Sequence, residues 1–216
     1  MSALEPDVLV ALDGVEKHWD ATSGLRTLTM EVRAHELVVV RGRSGTGKST
    51  LLSILAGWCP ADAGTITWGP PFDGRDVTAW TEVAVVPQVL ALMGELSARE
   101  NIEVALRGCG LARAAASERA TEVLDSLFLD ELAERTPGET SLGQRQRTAV
   151  ARAIAVEPKL LLADEPTSHQ DAASARRVVD VLRLRAELGG GVLVTTHDEM
   201  VAAAADRVVD LDDTSG

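Results

Sequence analysis

One segment constrains this chain more than any other: Gly42-Arg43-Ser44-Gly45-Thr46-Gly47-Lys48-Ser49-Thr50. It follows an apolar run, Leu37-Val38-Val39-Val40, and opens a helical pattern, Leu51-Leu52-Ser53-Ile54-Leu55-Ala56-Gly57. Strand, glycine-rich loop and helix in that order make a cradle for a triphosphate. Glycines let successive backbone N–H groups turn toward phosphate oxygens. The helix start adds its partial positive charge. A lysine in the place of Lys48 reaches the β- and γ-phosphates, and the Ser49 hydroxyl is a hard oxygen suited to Mg²⁺. The spacing alone occurs by accident in glycine-rich loops; the strand before it and the helix after it make this instance specific.

At 216 residues the chain fits one domain, or one domain with an inserted subdomain. Hydrophobic residues at 45% suffice for a substantial core. The aromatics are four Trp and two Phe with no Tyr, so a ring that stacks on a base must be Trp, Phe or His. A formal net charge of -12 argues against wrapping a nucleic-acid backbone, which needs Lys and Arg against phosphates, and favours solubility instead. Cys59 and Cys109 lie far apart with no metal-ligand spacing, as expected of reduced thiols in a cytosolic protein. The start, Met1-Ser2-Ala3-Leu4-Glu5-Pro6-Asp7, lacks the basic and apolar regions of a signal peptide. No segment reaches the roughly 18 apolar residues that span a bilayer. Work at a membrane would therefore need an anchor from another chain.

Residues 8–12 and 25–33 read as strands, the second alternating polar and apolar as a half-buried antiparallel strand does. Leu37–Arg41 reads as a buried strand. The helix from Lys48 should end near Gly57, with Pro60 beyond it as a stop. Thr65–Trp68 is a short strand before a turn at Gly69-Pro70-Pro71, and Val83–Val86 a buried strand leading to Pro87-Gln88. From about residue 96 to 157 the pattern is helical. Ser97-Ala98-Arg99-Glu100 forms a capping box, residues 112–128 a second helix, and Ser141-Leu142-Gly143-Gln144 a cap for a third. Alternation then resumes with a strand at Lys159–Ala163, a helix over about 171–188, and strands at Gly191–Thr195 and Val208–Leu211. The simplest fold is a parallel α/β domain with a helical insertion between Gln88 and Lys159.

Asp164-Glu165 stands at the C-terminal end of a continuous apolar strand, the edge at which open α/β sheets bind ligands. One carboxylate there can hold Mg²⁺, and the next can take a proton from an attacking water. The alternative is a pair of solvated acids capping the following helix.

These landmarks, with Gln88, Ser141-Leu142-Gly143-Gln144-Arg145-Gln146-Arg147, Leu162-Ala163-Asp164-Glu165-Pro166-Thr167-Ser168, Asp171 and Thr195-Thr196-His197-Asp198, resemble the ATP-binding subunit of an ABC transporter over nearly the whole chain. Within that superfamily the Leu162–Thr167 run and the compact length resemble the lipoprotein-release, macrolide-export and cell-division type. The resemblance implies a P-loop NTPase fold: a mostly parallel sheet, an antiparallel β-subdomain, and a helical subdomain at about 90–157 inside one domain, 1–216. It implies ATP and Mg²⁺ as cofactors, Gly42 to Thr50 as the Walker A loop, Asp164 as the Walker B acid and Glu165 as the catalytic base. Gln88 becomes the loop glutamine, contacting Mg²⁺ or water and sensing the permease. His197 becomes the switch histidine at the γ-phosphate. Ser49, Gln88 and Asp164 make the metal set. Trp19 stands where the family carries a tyrosine that stacks on adenine; the other reading of Trp19 is an ordinary half-buried aromatic. Ser141, Gly143 and Gln144 belong to the signature that faces the ATP of a second nucleotide-binding domain. The implied partners are that domain and an integral-membrane permease, with no nucleic acid. The implied place is peripheral, on the cytoplasmic face of the cell membrane.

Three departures stand out. Thr140-Ser141-Leu142-Gly143-Gln144 replaces Leu-Ser-Gly-Gly-Gln, so Leu142 could crowd the closing interface or need a backbone conformation that leucine tolerates poorly. Ser168-His169-Gln170-Asp171 replaces Ser-Ala-Leu-Asp, and His35 takes the place of a turn glycine. These leave open an active ATPase or the weak half of a heterodimer. Transport and mechanical signalling through a permease-like partner use the same nucleotide chemistry, and sequence does not separate them. A soluble nucleic-acid ATPase is disfavoured by the charge and by the lack of coiled coils or a tandem domain.

Overall fold

The fold, a computed structural model, is described for residues 4–20, 23–72 and 81–212. Residues 1–3 of the N-terminal stretch read above lie outside it. The chain starts with an antiparallel layer: β1 (Val8–His18), β2 (Gly24–Arg33) and, later, β4 (Ala63–Trp68), in the order β2-β1-β4. The second layer is parallel: β5 (Val83–Val86), β6 (Leu160–Asp164), β7 (Gly191–Thr195), β3 (Leu37–Arg41) and β8 (Arg207–Asp210), in the order β5-β6-β7-β3-β8. Helix α1 (Lys48–Leu55) leaves the C-terminal end of β3. Helices α2 (Ala98–Gly108), α3 (Arg113–Ser126) and α4 (Leu142–Ala155) fall between β5 and β6, and α5 (Ala172–Glu187) and α6 (Glu199–Ala204) flank β7.

The buried parallel strands carry apolar residues on both faces, and their period of two divides those residues between two cores. Leu37, Val39, Leu161, Ala163, Val192 and Val194 pack with the inserted helices and α5, through Ile102, Leu106, Leu124 and Val178. Val38, Val40, Leu160, Leu162 and Leu193 face the other way, against α1 and the antiparallel layer, meeting Leu51, Leu55, Leu12 and Leu28. This second core seats the glycine loop, because it fixes β3 and α1 on either side of it.

Local chemistry explains most boundaries. Ser97 and Glu100 form a reciprocal capping box on α2, with Glu100 N–H donating to Ser97 Oγ at 3.2 Å and Ser97 N–H to Glu100 Oε2 at 2.8 Å. Ser141 and Gln144 do the same for α4. Two expectations change. β1 runs to His18 rather than stopping at residue 12, because the strand continues through an irregularity: Gly14 takes φ 60 and the pairing with β2 slips between Leu12 and Val15. The α6 helix had no counterpart in the sequence reading; Asp198 starts it by accepting Met200 N–H at 2.8 Å.

Candidate functional site

The glycine loop is pressed onto the start of β2. Gly47 has φ 98, and a Cβ there would stand 2.5 Å from Gly24 O and 2.6 Å from Leu25 Cα, so the site admits glycine alone. Within the loop, Thr46 Oγ1 donates to Arg43 O at 2.9 Å. Lys48 Nζ donates to Gly42 O at 2.6 Å and Arg43 O at 3.0 Å, so the ammonium is folded over the turn whose N–H groups line the cradle.

The acids meet the loop from β6. Ser49 Oγ donates to Asp164 Oδ2 at 2.6 Å, and Thr195 Oγ1 donates to Asp164 Oδ1 at 2.6 Å. Ser49 and Asp164 thus converge as a hydroxyl and a carboxylate, both hard oxygens. Mg²⁺ takes few protein ligands of this kind and completes its octahedron with water and substrate phosphate. The Ser49–Asp164 pair fits that donor set. One residue on, Glu165 takes φ 47, a left-handed backbone that turns its side chain back toward β7. Its Oε2 accepts from Thr196 Oγ1 at 2.8 Å and, more weakly, from His197 N–H at 3.4 Å. His197 Nε2 lies 3.8 Å from Glu165 Oε1. The alternative of Asp164 and Glu165 as solvated helix caps is excluded by these contacts. Asp171, not either acid, caps α5, accepting Ser174 N–H at 2.9 Å. The backbone and side-chain hydrogen bonds from Ser174 hold the Asp171 carboxyl below its usual range.

Trp19 approaches from β1's end. Its Nε1–H donates to Thr50 Oγ1 at 3.0 Å, while Lys17 Nζ sits 5.1 Å from the ring centroid. Lys17 is itself tied to Asp62 at 2.7 Å. The indole stays 57% exposed, more than an ordinary half-buried aromatic. Trp19, the loop, Gln88, Asp164, Glu165 and His197 share one cleft of about 380 Å³. The segment after Gln88 is pinned from α4: the Arg152 guanidinium, buried and so pushed below its ordinary pKa, donates to Ala91 O at 2.6 Å and Leu90 O at 3.1 Å.

Ser141, Gly143 and Gln144 line no part of that cleft. They stand at the start of α4, where Gly143 lies against the loop after β6; a Cβ on it would meet His169 O at 2.5 Å. Leu142 is the first residue of α4 and is 42% exposed. It is absent from the residues with positive φ, so the expected backbone conflict for leucine does not arise. Its side chain alone is at issue. His35 and His169 do adopt positive φ, at 61 each. Cys59 and Cys109 are partly buried, which pushes both thiols up and leaves neither a ready nucleophile. Sequence reasoning missed Thr195 and Thr196 as site residues and missed Asp198, whose Oδ2 accepts from Thr167 Oγ1 at 2.7 Å. Their only signal was a pair of threonines ending an apolar strand.

Strand, glycine loop and helix, with an acid from the next-but-one strand on the loop's serine, define a P-loop NTPase of the α/β kind. More narrowly, the chain belongs to the ABC transporter family, whose model matches residues 25–168. By family and fold it is an ABC-type ATPase cassette. It is 41% identical over 194 residues to the uncharacterized ABC transporter ATP-binding protein Rv2564 of Mycobacterium tuberculosis (strain ATCC 25618 / H37Rv), covering 85% of this chain and 58% of that protein. It is 38% identical over 206 residues to the Fe(3+) ions import ATP-binding protein FbpC of Agrobacterium fabrum, covering 93% of this chain and 57% of that one. The chain therefore spans less than two thirds of the curated relatives it matches. Among solved structures, the ATP-binding cassette MJ0796, a dimer in a post-hydrolysis state bound to ADP and Pi, superposes with a TM-score of 0.83 at 28% identity, over 94% of each chain.

Proposed function

We propose that this chain binds and hydrolyses ATP to drive a membrane permease, by pairing with a second nucleotide-binding domain when ATP is bound. The observation that carries the reading is the convergence of Ser49 on Asp164 at 2.6 Å with Glu165 adjacent and His197 at 3.8 Å from it, beside the Lys48 loop. The loop amides and Lys48 would hold the β- and γ-phosphates, and Trp19 would stack on the base. Ser49, Asp164 and the Gln88 side chain would hold Mg²⁺, which when bound supplies charge neutralisation between phosphates. Glu165 would accept the proton of the attacking water, with His197 donating toward the γ-phosphate. Ser141, Gly143 and Gln144, outside this cleft, would serve the ATP of the other domain.

The permease would dock in the apolar groove of about 430 Å³ between β5 and α4, whose lining includes Trp58, Pro87 and Met93. Trp58 is 60% exposed there. No helix among the described residues is long and apolar enough to cross a membrane; in this reading, docking on the permease would hold the chain at the cytoplasmic face. Extrusion is the finer reading, carried by the Leu162–Thr167 run; relatives named as import proteins, FbpC and MetN, point the other way. Reconstitution with the permease, reading the direction of cargo movement, decides between them.

The test of the core reading is Glu165→Gln. It should lower hydrolysis by at least about 100-fold while ATP and Mg²⁺ hold a dimer on size exclusion. A variant that stays monomeric at saturating ATP would sink the pairing mechanism.

A further inference from the structure

Two adjacent strands end in matched rungs. β6 and β7 run parallel with Asp164 opposite Thr195. Each threonine hydroxyl reaches across to one carboxylate: Thr195 Oγ1 to Asp164 Oδ1 at 2.6 Å, and Thr196 Oγ1 to Glu165 Oε2 at 2.8 Å. Both threonines are buried, at 0% and 1% exposure; the Thr195–Asp164 bond is fully enclosed, while the Glu165 carboxylate keeps one side open to the cleft. The Thr196 hydroxyl also accepts Asp198 N–H at 3.0 Å. It therefore uses its one proton on Glu165 and a lone pair on the backbone that follows His197. A second tie runs in the opposite sense, from Thr167 Oγ1 to Asp198 Oδ2 at 2.7 Å. A third is backbone, Glu165 N–H to Thr195 O at 2.8 Å.

We propose that Thr196 is a positioning residue for hydrolysis: its hydroxyl sets the direction of the Glu165 carboxylate and yokes it to the segment carrying His197, so that base and switch histidine move as one body. The proposal rests on the reading of Glu165 as the base. Its physical basis is the freedom of the glutamate side chain. Glu165 leaves a left-handed backbone position with several rotatable bonds, and its only hydroxyl partner among the described residues is Thr196. Without that donor, Oε2 keeps only the His197 N–H, at 3.4 Å. A carboxylate that must face an attacking water would then sample other rotamers, and displacement on the scale of 1 Å costs about 100-fold in rate. Thr195 makes the equivalent rung on Asp164, which Ser49 already braces from the other side. Thr196 is the rung without such a brace.

The experiment uses the full chain with its membrane partner where hydrolysis needs it. Thr196→Val removes the hydroxyl at near-constant volume; Thr196→Ala repeats the test should valine fail to pack; Thr196→Ser restores the hydroxyl. Turnover and the dissociation constant for Mg-ATP are measured for each, and single-turnover rates are measured again with Glu165→Gln in the background. The expected result is turnover reduced about 10- to 100-fold by valine, ATP affinity within about 2-fold of the parent, and recovery to within about 3-fold by serine. In the Glu165→Gln background valine should cost nothing further. Equal losses in both backgrounds, a parallel loss of ATP affinity, or no recovery by serine overturns the proposal, as does turnover within about 3-fold of the parent for valine. Should Glu165→Gln itself turn over at the parent rate, the base assignment falls and takes the proposal with it, a result distinct from the others.

Discussion

Gly45 and Gly47 both have positive φ, at 86 and 98, yet alanine should affect them very differently. At Gly45 a Cβ meets nothing within 4 Å, so the cost is backbone conformation alone. Holding an L-residue in the left-handed region costs roughly 1–2 kcal/mol. Where the free loop relaxes out of that conformation, ATP must restore it. The whole cost then appears as an affinity about 5- to 30-fold weaker. Where the loop stays put, the cost appears instead as lost stability. At Gly47 the same penalty is joined by a collision with backbone: Gly24 O at 2.5 Å and Leu25 Cα at 2.6 Å, about 0.9 Å inside ordinary contact. Neither atom belongs to a side chain that can swing aside, so the loop or the β2 start must move by roughly that much. Because the cradle works by aiming N–H groups at phosphate, a shift near 1 Å breaks hydrogen bonds to charged oxygens worth about 1.5–3 kcal/mol each, so losing two weakens binding by about 100-fold or more. Titration calorimetry with Mg-ATP at 25 °C, paired with thermal unfolding, separates the two variants. Gly47→Ala should bind at least about 100-fold more weakly; Gly45→Ala should split about 1–2 kcal/mol between affinity and stability. Gly47→Ala binding within about 5-fold of the parent, or Gly45→Ala being the worse of the two, would refute the steric argument.

Trp19→Ala should weaken Mg-ATP by about 5- to 150-fold, the worth of one base stacked on an aromatic, and leave Mg-tripolyphosphate unchanged. Equal losses for both ligands would show that the indole shapes the loop through Thr50 rather than stacking. Leu142→Gly should raise hydrolysis or leave it unchanged, since Leu142 sits exposed at the helix start and needs no special backbone. A severe drop measured by phosphate release would mean that leucine is built into the closed interface. Asp171→Ala should lower the unfolding temperature at pH 7, through loss of the α5 cap. The folded carboxyl is held below its usual range, so the unfolded chain binds the proton more readily. Stability from this group is then complete above the ordinary aspartate pKa of about 3.9 and is lost as pH falls through the lower folded value. The gap between parent and variant in a pH series should close below about pH 4; a gap that widens there would contradict the assignment.

Much of the fold was legible because its signals are local. β7 is fully buried, and β3 and β5 are buried apart from Arg41 and the half-buried Val85, so their apolar runs mark the strands. Both capping boxes could be read at a spacing of three residues because both partners lie within one turn. The failures are also physical. The apolar run read over 8–12 stops at Asp13-Gly14, but antiparallel pairing on both sides of β1 carries the strand through that irregularity to His18. Six residues at α6 make less than two turns, too few for a 3.6-residue period to show.

The candidate site divides the same way. The phosphate loop and the Asp164-Glu165 pair are contiguous in sequence, and contiguity exposed them. Trp19 on Thr50, Thr196 on Glu165 and Arg152 on the carbonyls of Leu90 and Ala91 join segments 31 residues apart or more. No periodicity connects such positions. Strand order does. Once β6 and β7 are parallel neighbours with Asp164 opposite Thr195, the residues one step further, Glu165 and Thr196, must emerge together at the sheet's C-terminal edge. A buried hydroxyl emerging beside a carboxylate then bonds to it, because leaving the hydroxyl unpaired costs more than the pairing constrains. The threonine rungs are thus a consequence of topology, and a chain that kept the motif residues but changed the neighbour of β6 would lose them.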